Sequence, residues 1–216
     1  MNVIYKNTTN EIEIKKSRFI TNLIYVDNED DANIELNKIK KNHYDAKHNC
    51  FSYIIGKNMN FKKQSDDGEP KGTAGIPMLN VLESNSITNC LAVVTRYFGG
   101  ILLGAGGLLR AYVDSITEAL KNAILSEVYD GINFYINTDY QHYSIIEKLI
   151  ESYDNIHLIN SSFYENIKLE YVINKSDFET FKNSIINVTN GKINPVFNNE
   201  NSFIVYNNKI KIINLI

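Results

Sequence analysis

Two arginines bracket a run of glycines between Cys90 and Ser115. The chain holds only three arginines, and Arg96 and Arg110 are two of them; Gly99, Gly100, Gly104, Gly106 and Gly107 are five of its 11 glycines. Ahead of the glycines stands a short apolar, β-branched run, Leu91 to Thr95, of the length of a buried strand. After them Leu108, Leu109, Tyr112, Val113, Ile116, Ala119 and Leu120 recur at helical spacing. A strand, a glycine loop and a helix start outline an anion site. The first turn of a helix has unpaired N–H groups and a partial positive charge, glycines let a phosphate reach them, and a guanidinium fork binds phosphate through two hydrogen bonds. On this reading Arg96 at the strand end and Arg110 in the first helical turn flank one pocket. The spacing matches neither a Walker A loop nor G-x-G-x-x-G. A tight strand-to-helix packing turn with two surface arginines fits the same residues.

Two further groups carry ionisable chemistry. Lys15-Lys16-Ser17-Arg18 is a compact basic cluster between two alternating segments, so Lys16 and Arg18 either assist phosphate binding or form a solvated turn. Ser65 to Gly75 is a loop by its turn signals, Asp-Asp-Gly, Glu-Pro and Lys-Gly. Its Asp66, Asp67, Glu69 and Lys71, with His48, make a possible second site. The acids suit a hard cation chemically, but no EF-hand spacing is present, and the loop reads first as turn formers and a helix cap, so no metal is expected. His48 and Cys50 share one strand face, yet residues two apart on a strand rarely meet with attack geometry, and Cys50 reads as a buried structural thiol.

The elements that must position these groups follow from periodicity. Strands are expected over 2–6 and 11–26, a helix over 27–41 with acids in its first turn and lysines in its last, and a strand over 48–55. A short helix is expected over 73–83. From Gly131 the pattern runs strand (132–136), helix (139–153), an antiparallel pair (156–164 and 167–174), helix (175–188, with Ser176 and Glu179 as a capping box) and strands near 192–197 and 202–206. That order, βαββαβ, is ferredoxin-like. His142 and His157 stand alone in it.

Ser65-Asp66-Asp67-Gly68-Glu69-Pro70-Lys71-Gly72-Thr73-Ala74-Gly75, Val94-Thr95-Arg96-Tyr97-Phe98-Gly99-Gly100, Leu103-Gly104-Ala105-Gly106-Gly107-Leu108 and Arg110-Ala111-Tyr112 closely resemble the YigZ/IMPACT family. Lys16-Ser17-Arg18-Phe19-Ile20 and His48-Asn49-Cys50-Phe51 match further blocks in the same order. The resemblance spans about residues 15–120. It implies an α+β protein: an N-terminal α/β sandwich over 1–130, related to a ribosomal-protein domain and to elongation factor G domain IV, then a small ferredoxin-like domain over 131–216. It also implies association with RNA, the ribosome or a translation factor, and a role in translation or its regulation.

Bulk properties restrict how such binding works. A net charge of −3 and a pI near 5.8 exclude a broadly basic nucleic-acid binder, and neither half of the 216-residue chain is basic. Any polyanion contact is therefore local. Two cysteines without C-x-x-C spacing fit a reducing compartment, and with no apolar signal core at the start the expectation is a cytoplasmic protein off the membrane. No G-x-S-x-G, H-E-x-x-H or Walker A pattern is present. No catalytic residue and no cofactor is assigned, and oligomeric state is left open. The expectation is a binding protein with its anion site at the glycine-rich stretch. A protein-interaction module regulating a translation factor, or a metal-dependent enzyme on a small phosphorylated or acidic substrate, are the alternatives.

Overall fold

In the computed structural model, which describes all residues except 208, 214 and 216, the chain divides into two compact units, Met1–Glu127 and Val128–Asn214. The first holds β1 (Asn2–Ile4), β2 (Thr8–Ile14), β3 (Ser17–Tyr25), α1 (Glu29–Asn42), β4 (His48–Ile55), β5 (Phe61–Ser65), α2 (Gly75–Ser84), β6 (Cys90–Tyr97) and α3 (Gly104–Asn122). Five of its strands form one antiparallel sheet in the order β2-β3-β6-β4-β5.

β6 lies in the middle and is buried on both faces, which accounts for its unbroken apolar composition. Alternate side chains serve two cores. Leu91 and Val93, with Phe51, Tyr53 and Ile55 of β4, pack against Ala32, Leu36 and Ile39 of α1. Cys90, Ala92 and Val94, with Cys50 and Ile54, pack against Met78 and Leu82 of α2 and Ala111, Tyr112 and Ile116 of α3. The unit is thus three layers, one helix below the sheet and two above. Asn28 caps α1 by accepting from the Asp31 amide, with Glu29, Asp30 and Asp31 in the first turn as the helix dipole favours.

The second unit contains most of β7 (Leu125–Thr138), then α4 (Tyr140–Glu151), β8 (Ile156–Phe163), β9 (Ile167–Asn174), a single 3-10 turn (Lys175–Asp177), α5 (Phe178–Val188), β10 (Val196–Tyr206) and β11 (Lys209–Ile213). Its strands pair antiparallel in the order β11-β10-β7-β9-β8. Phe134, Ile136, Leu169 and Ile173 on one sheet face meet Ile146 of α4 and Phe178, Phe181 and Ile185 of α5.

Several expected boundaries move. β5 is absent from the periodic reading because Phe61-Lys62-Lys63-Gln64-Ser65 has one apolar residue; it is an exposed edge strand, where lysines deter further pairing. The strand expected over 132–136 is the middle of the fourteen-residue β7, and the two late strands expected near 192–197 and 202–206 are one strand, β10. The Ser176–Glu179 capping box does not form: the Ser176 hydroxyl donates to the Asp177 carboxylate, and α5 starts at Phe178, after the 3-10 turn. α3 begins at Gly104, so Gly104, Gly106 and Gly107 are its first turn rather than loop, and Arg110 falls in the second turn. Gly104 enters the helix with φ of 70°, a left-handed conformation that strains any residue with a Cβ.

Candidate functional site

The register of the central sheet builds the site. Arg96 of β6 stands directly across from Phe19 of β3 on one side and His48 of β4 on the other. All three are in register with side chains on the face that carries α2 and α3. The Arg96 guanidinium lies over the rings of Phe19 and Phe98, 5.5 and 5.7 Å from their centroids. Its Nη1 donates to Glu69 Oε1 at 2.7 Å, in a pair whose side chains are 7% and 3% exposed. The Tyr112 hydroxyl, reaching down from α3, donates to the same oxygen at 2.9 Å. Burial, with Cys50 and Glu69 alongside, drives the Tyr112 phenol far above its ordinary pKa, so it stays a proton donor.

The loop between β5 and α2 delivers Glu69. Asp66 accepts from the backbone N–H groups of Gly72, Ala74 and Gly75 at 2.8, 3.0 and 2.8 Å, which winds the loop around one carboxylate. Burial alone would raise its pKa, but the three amides outweigh that and hold it below the usual carboxylate value. Gly75 is needed there because a Cβ would stand 2.9 Å from the Ser65 amide nitrogen and still nearer the Gln64 side chain. Asp67 accepts from the Asn49 N–H at 2.7 Å and pairs with Lys40 at 3.1 Å, tying the loop to β4 and α1. Its carbonyl accepts from His48 Nδ1 at 2.8 Å, which assigns the ring proton to that nitrogen and turns Nε2 toward Glu69 Oε2, 3.9 Å away.

The three acidic residues therefore serve three separate sets of partners. Among the described residues no three His, Cys, Asp or Glu side chains have metal-holding spacing. Cys50 contacts the Asp66 carbonyl and the Tyr112 hydroxyl, and burial pushes its thiol up to about 12. Lys71 is exposed at the loop surface.

Above this buried group opens a cleft of about 390 Å³. Its walls are His48, Glu69 and Arg96 at the base, Lys47 and Phe98 at the rim, and the start of α3 at Leu103, Gly104 and Ala105 on one side. No side chain caps α3, so its first-turn amides are open to a ligand. Gly99, next to Phe98, packs against the β2–β3 turn: its N–H donates to the Ser17 hydroxyl, and a Cβ there would stand 2.0 Å from the Lys16 carbonyl. Gly100, with φ of 84°, has open space around it.

The two groups of candidate residues thus merge, but with altered roles. Arg96 joins His48 and Glu69 at the base of one cleft, where it is held by a carboxylate rather than free for phosphate. Lys16 sits exposed in the β2–β3 turn, brought beside Gly99. Arg18 is exposed and forms a two-bond ion pair with Glu11 on the neighbouring strand. Arg110 is exposed with no ion pair among the described residues. Tyr112, Phe98 and Lys47 were missed as site residues. Tyr112 reads as one more apolar helix position, and only its hydroxyl within a mostly aliphatic stripe signals a buried polar partner.

Fold and cleft together describe a two-unit chain of mixed helices and sheets, with a small, partly charged cleft in its first unit. The Impact N-terminal domain model matches residues 15–120. The chain is 43% identical to the IMPACT family member YvyE of Bacillus subtilis (strain 168), over 84% of this chain and 83% of that one. It is 39% identical to an IMPACT family member of Haemophilus influenzae, over 85% and 89%, and 33% identical to YigZ of Escherichia coli (strain K12), over 84% and 89%. A hypothetical protein of known crystal structure aligns with a TM-score of 0.60 at 31% identity, covering 92% of this chain and 97% of that one. The chain belongs to the IMPACT family.

Proposed function

We propose that this IMPACT family protein binds RNA, alone or on the ribosome, and acts in translation or its regulation, with the α3 N-terminus as its phosphate site. The observation that carries this reading is the uncapped, glycine-built start of α3 opening on the cleft. Exposed Arg110, Lys16, Lys47 and Lys71 supply local positive charge on an otherwise acidic chain, while Phe98, 50% exposed, offers a face for a stacked base. In this proposal residues 1–130 are the IMPACT-type domain resembling elongation factor G domain IV, and residues 131–216 are a ferredoxin-like domain, supported by the βαββαβ order and the β10-β7-β9-β8 pairing. The site is a locus for an anion held by main-chain amides, so affinity falls steeply with salt. Fluorescence anisotropy of a labelled single-stranded RNA, from low to physiological salt, tests it for the wild type and for Lys16→Ala/Arg110→Ala. Equal affinities in the two proteins overturn the assignment.

A second reading, a protein-interaction module, is favoured by one feature of the second unit. β8 is an edge strand that exposes Leu158 and Phe163, and Tyr164 follows it at the surface. Binding of a stoichiometric protein partner, unaffected by nuclease and salt and lost in Leu158→Lys, would select that reading.

A further inference from the structure

The cleft contains an acceptor pair that the protein leaves unmet. Glu69 Oε1 receives hydrogen bonds from both Arg96 and Tyr112, whereas Oε2, on a side chain only 3% exposed, receives none among the described residues. Oε2 is not sealed off, for Glu69 lines the cleft floor, so this oxygen is free to accept from a molecule seated there. The group nearest to Oε2 is His48 Nε2 at 3.9 Å. With Nδ1 donating to the Asp67 carbonyl, Nε2 is the ring nitrogen left beside Oε2, and in the Nδ1–H tautomer it is an acceptor. Two acceptors thus stand side by side at the base of a cleft, and the complementary ligand carries two adjacent donors.

We propose that the cleft seats the 3′-terminal nucleotide of an RNA strand, its vicinal 2′- and 3′-hydroxyls donating to Glu69 Oε2 and His48 Nε2. A ribose cis-diol presents two O–H donors on neighbouring carbons, and the 2′-hydroxyl is the group by which proteins tell RNA from DNA. A sugar diol held by a carboxylate is the same chemistry that holds ribose in dinucleotide sites. The other parts of a nucleotide find chemistry in the same cleft. The 5′-phosphate meets the open amides at Gly104 and Ala105, and the base meets Phe98 and Leu102 at the rim, both exposed. The volume, about 390 Å³, is within the range of sites for small ligands, roughly 300–1,000 Å³. This rests on the RNA reading above and deepens it, replacing general backbone contact with recognition of a chain end.

The test compares four otherwise identical short single-stranded oligonucleotides by anisotropy at low salt: RNA with a free 3′ diol, RNA ending in a 2′-deoxynucleotide, RNA ending in a 3′-phosphate, and DNA. Losing a hydrogen bond to a charged acceptor should weaken the 2′-deoxy-ended RNA about ten- to a hundredfold, and the 3′-phosphate at least as much. Glu69→Gln should erase the preference for the diol. Because Glu69 also holds Arg96, Ala105→Glu is the companion variant: a carboxylate in the exposed first turn of α3 suits the helix dipole yet repels phosphate, so binding of every oligonucleotide should fall while the fold is retained. Equal binding of all three RNAs overturns the diol seat and leaves the RNA reading intact. Full binding by Ala105→Glu overturns the phosphate position. No binding of any RNA overturns both readings.

Discussion

Removing the charge of Arg96 is the sharpest test of how the site is held together. Arg96→Met keeps an aliphatic stem against Phe19 and Phe98 but leaves the Glu69 carboxylate, 3% exposed, with Tyr112 as its one hydrogen-bond donor. Breaking one half of a buried ion pair costs about 3–5 kcal/mol, because the remaining charge is neither solvated nor paired. A domain has a total stability of roughly 5–15 kcal/mol, so the loss is a large share of it. For a unit of this size each kcal/mol moves the melting midpoint about 3–4 °C, which gives a fall of roughly 10–20 °C. Adding Glu69→Gln to Arg96→Met removes the stranded charge while leaving an acceptor for Tyr112, and should restore about 2 kcal/mol or more of the loss. Because the two units need not unfold together, the readout is peptide-resolved hydrogen exchange of β4 and β6 beside the thermal scan. A cost below about 1 kcal/mol for Arg96→Met, or a double variant no more stable than the single, would refute the account of a largely buried charge pair.

Three other outcomes follow from the geometry. The depressed pKa of Asp66 contributes stability that is present above its unfolded value and lost as pH falls through its lower folded value, so urea midpoints should drop as the pH is lowered below the usual carboxylate range; Asp66→Asn should flatten that slope, and an unchanged slope would contradict the three-amide cage. Gly99→Ala should destabilise by about 1–3 kcal/mol through collision with the Lys16 backbone, whereas Gly100→Ala, with open space but φ of 84°, should cost only about 1 kcal/mol, as measured by denaturant titration; a reversed order would show that the contact is not rigid. Cys50 and Cys90, both buried with burial pushing each thiol up to about 12, should resist iodoacetamide at pH near 8 until the protein is unfolded, and native-state labelling of either would show an open path to the core.

Much of the first unit was legible because its sheet is patterned by two cores. The alternation of Cys50/Ile54 with Phe51/Tyr53/Ile55 records which face each residue serves, and β6 reads as buried on both. The start of α3 was not legible, since three glycines at Gly104, Gly106 and Gly107 lower helix propensity and point to loop; packing from Leu108 onward extends the helix back over them. Nor was the fate of Arg96. Its pairing with Glu69 depends on a loop 27 residues earlier folding around Asp66, and nothing local to either residue specifies it. The glycine stretch and the acidic loop do come together around one cleft, while which of their residues face that cleft and which hold the frame is a tertiary fact.

The placement of β6 bears on how the chain is made. The strand that divides the sheet is the last of its five to leave the ribosome, so until residue 97 is available the β2–β3 and β4–β5 hairpins share no common neighbour. Each is then a two-stranded ribbon of marginal stability showing an apolar face, and closure of the layer awaits pairings distant in sequence. Nascent chains halted before that point should be recognised by chaperones as two separate exposed pieces, and those halted once α3 has also emerged should not.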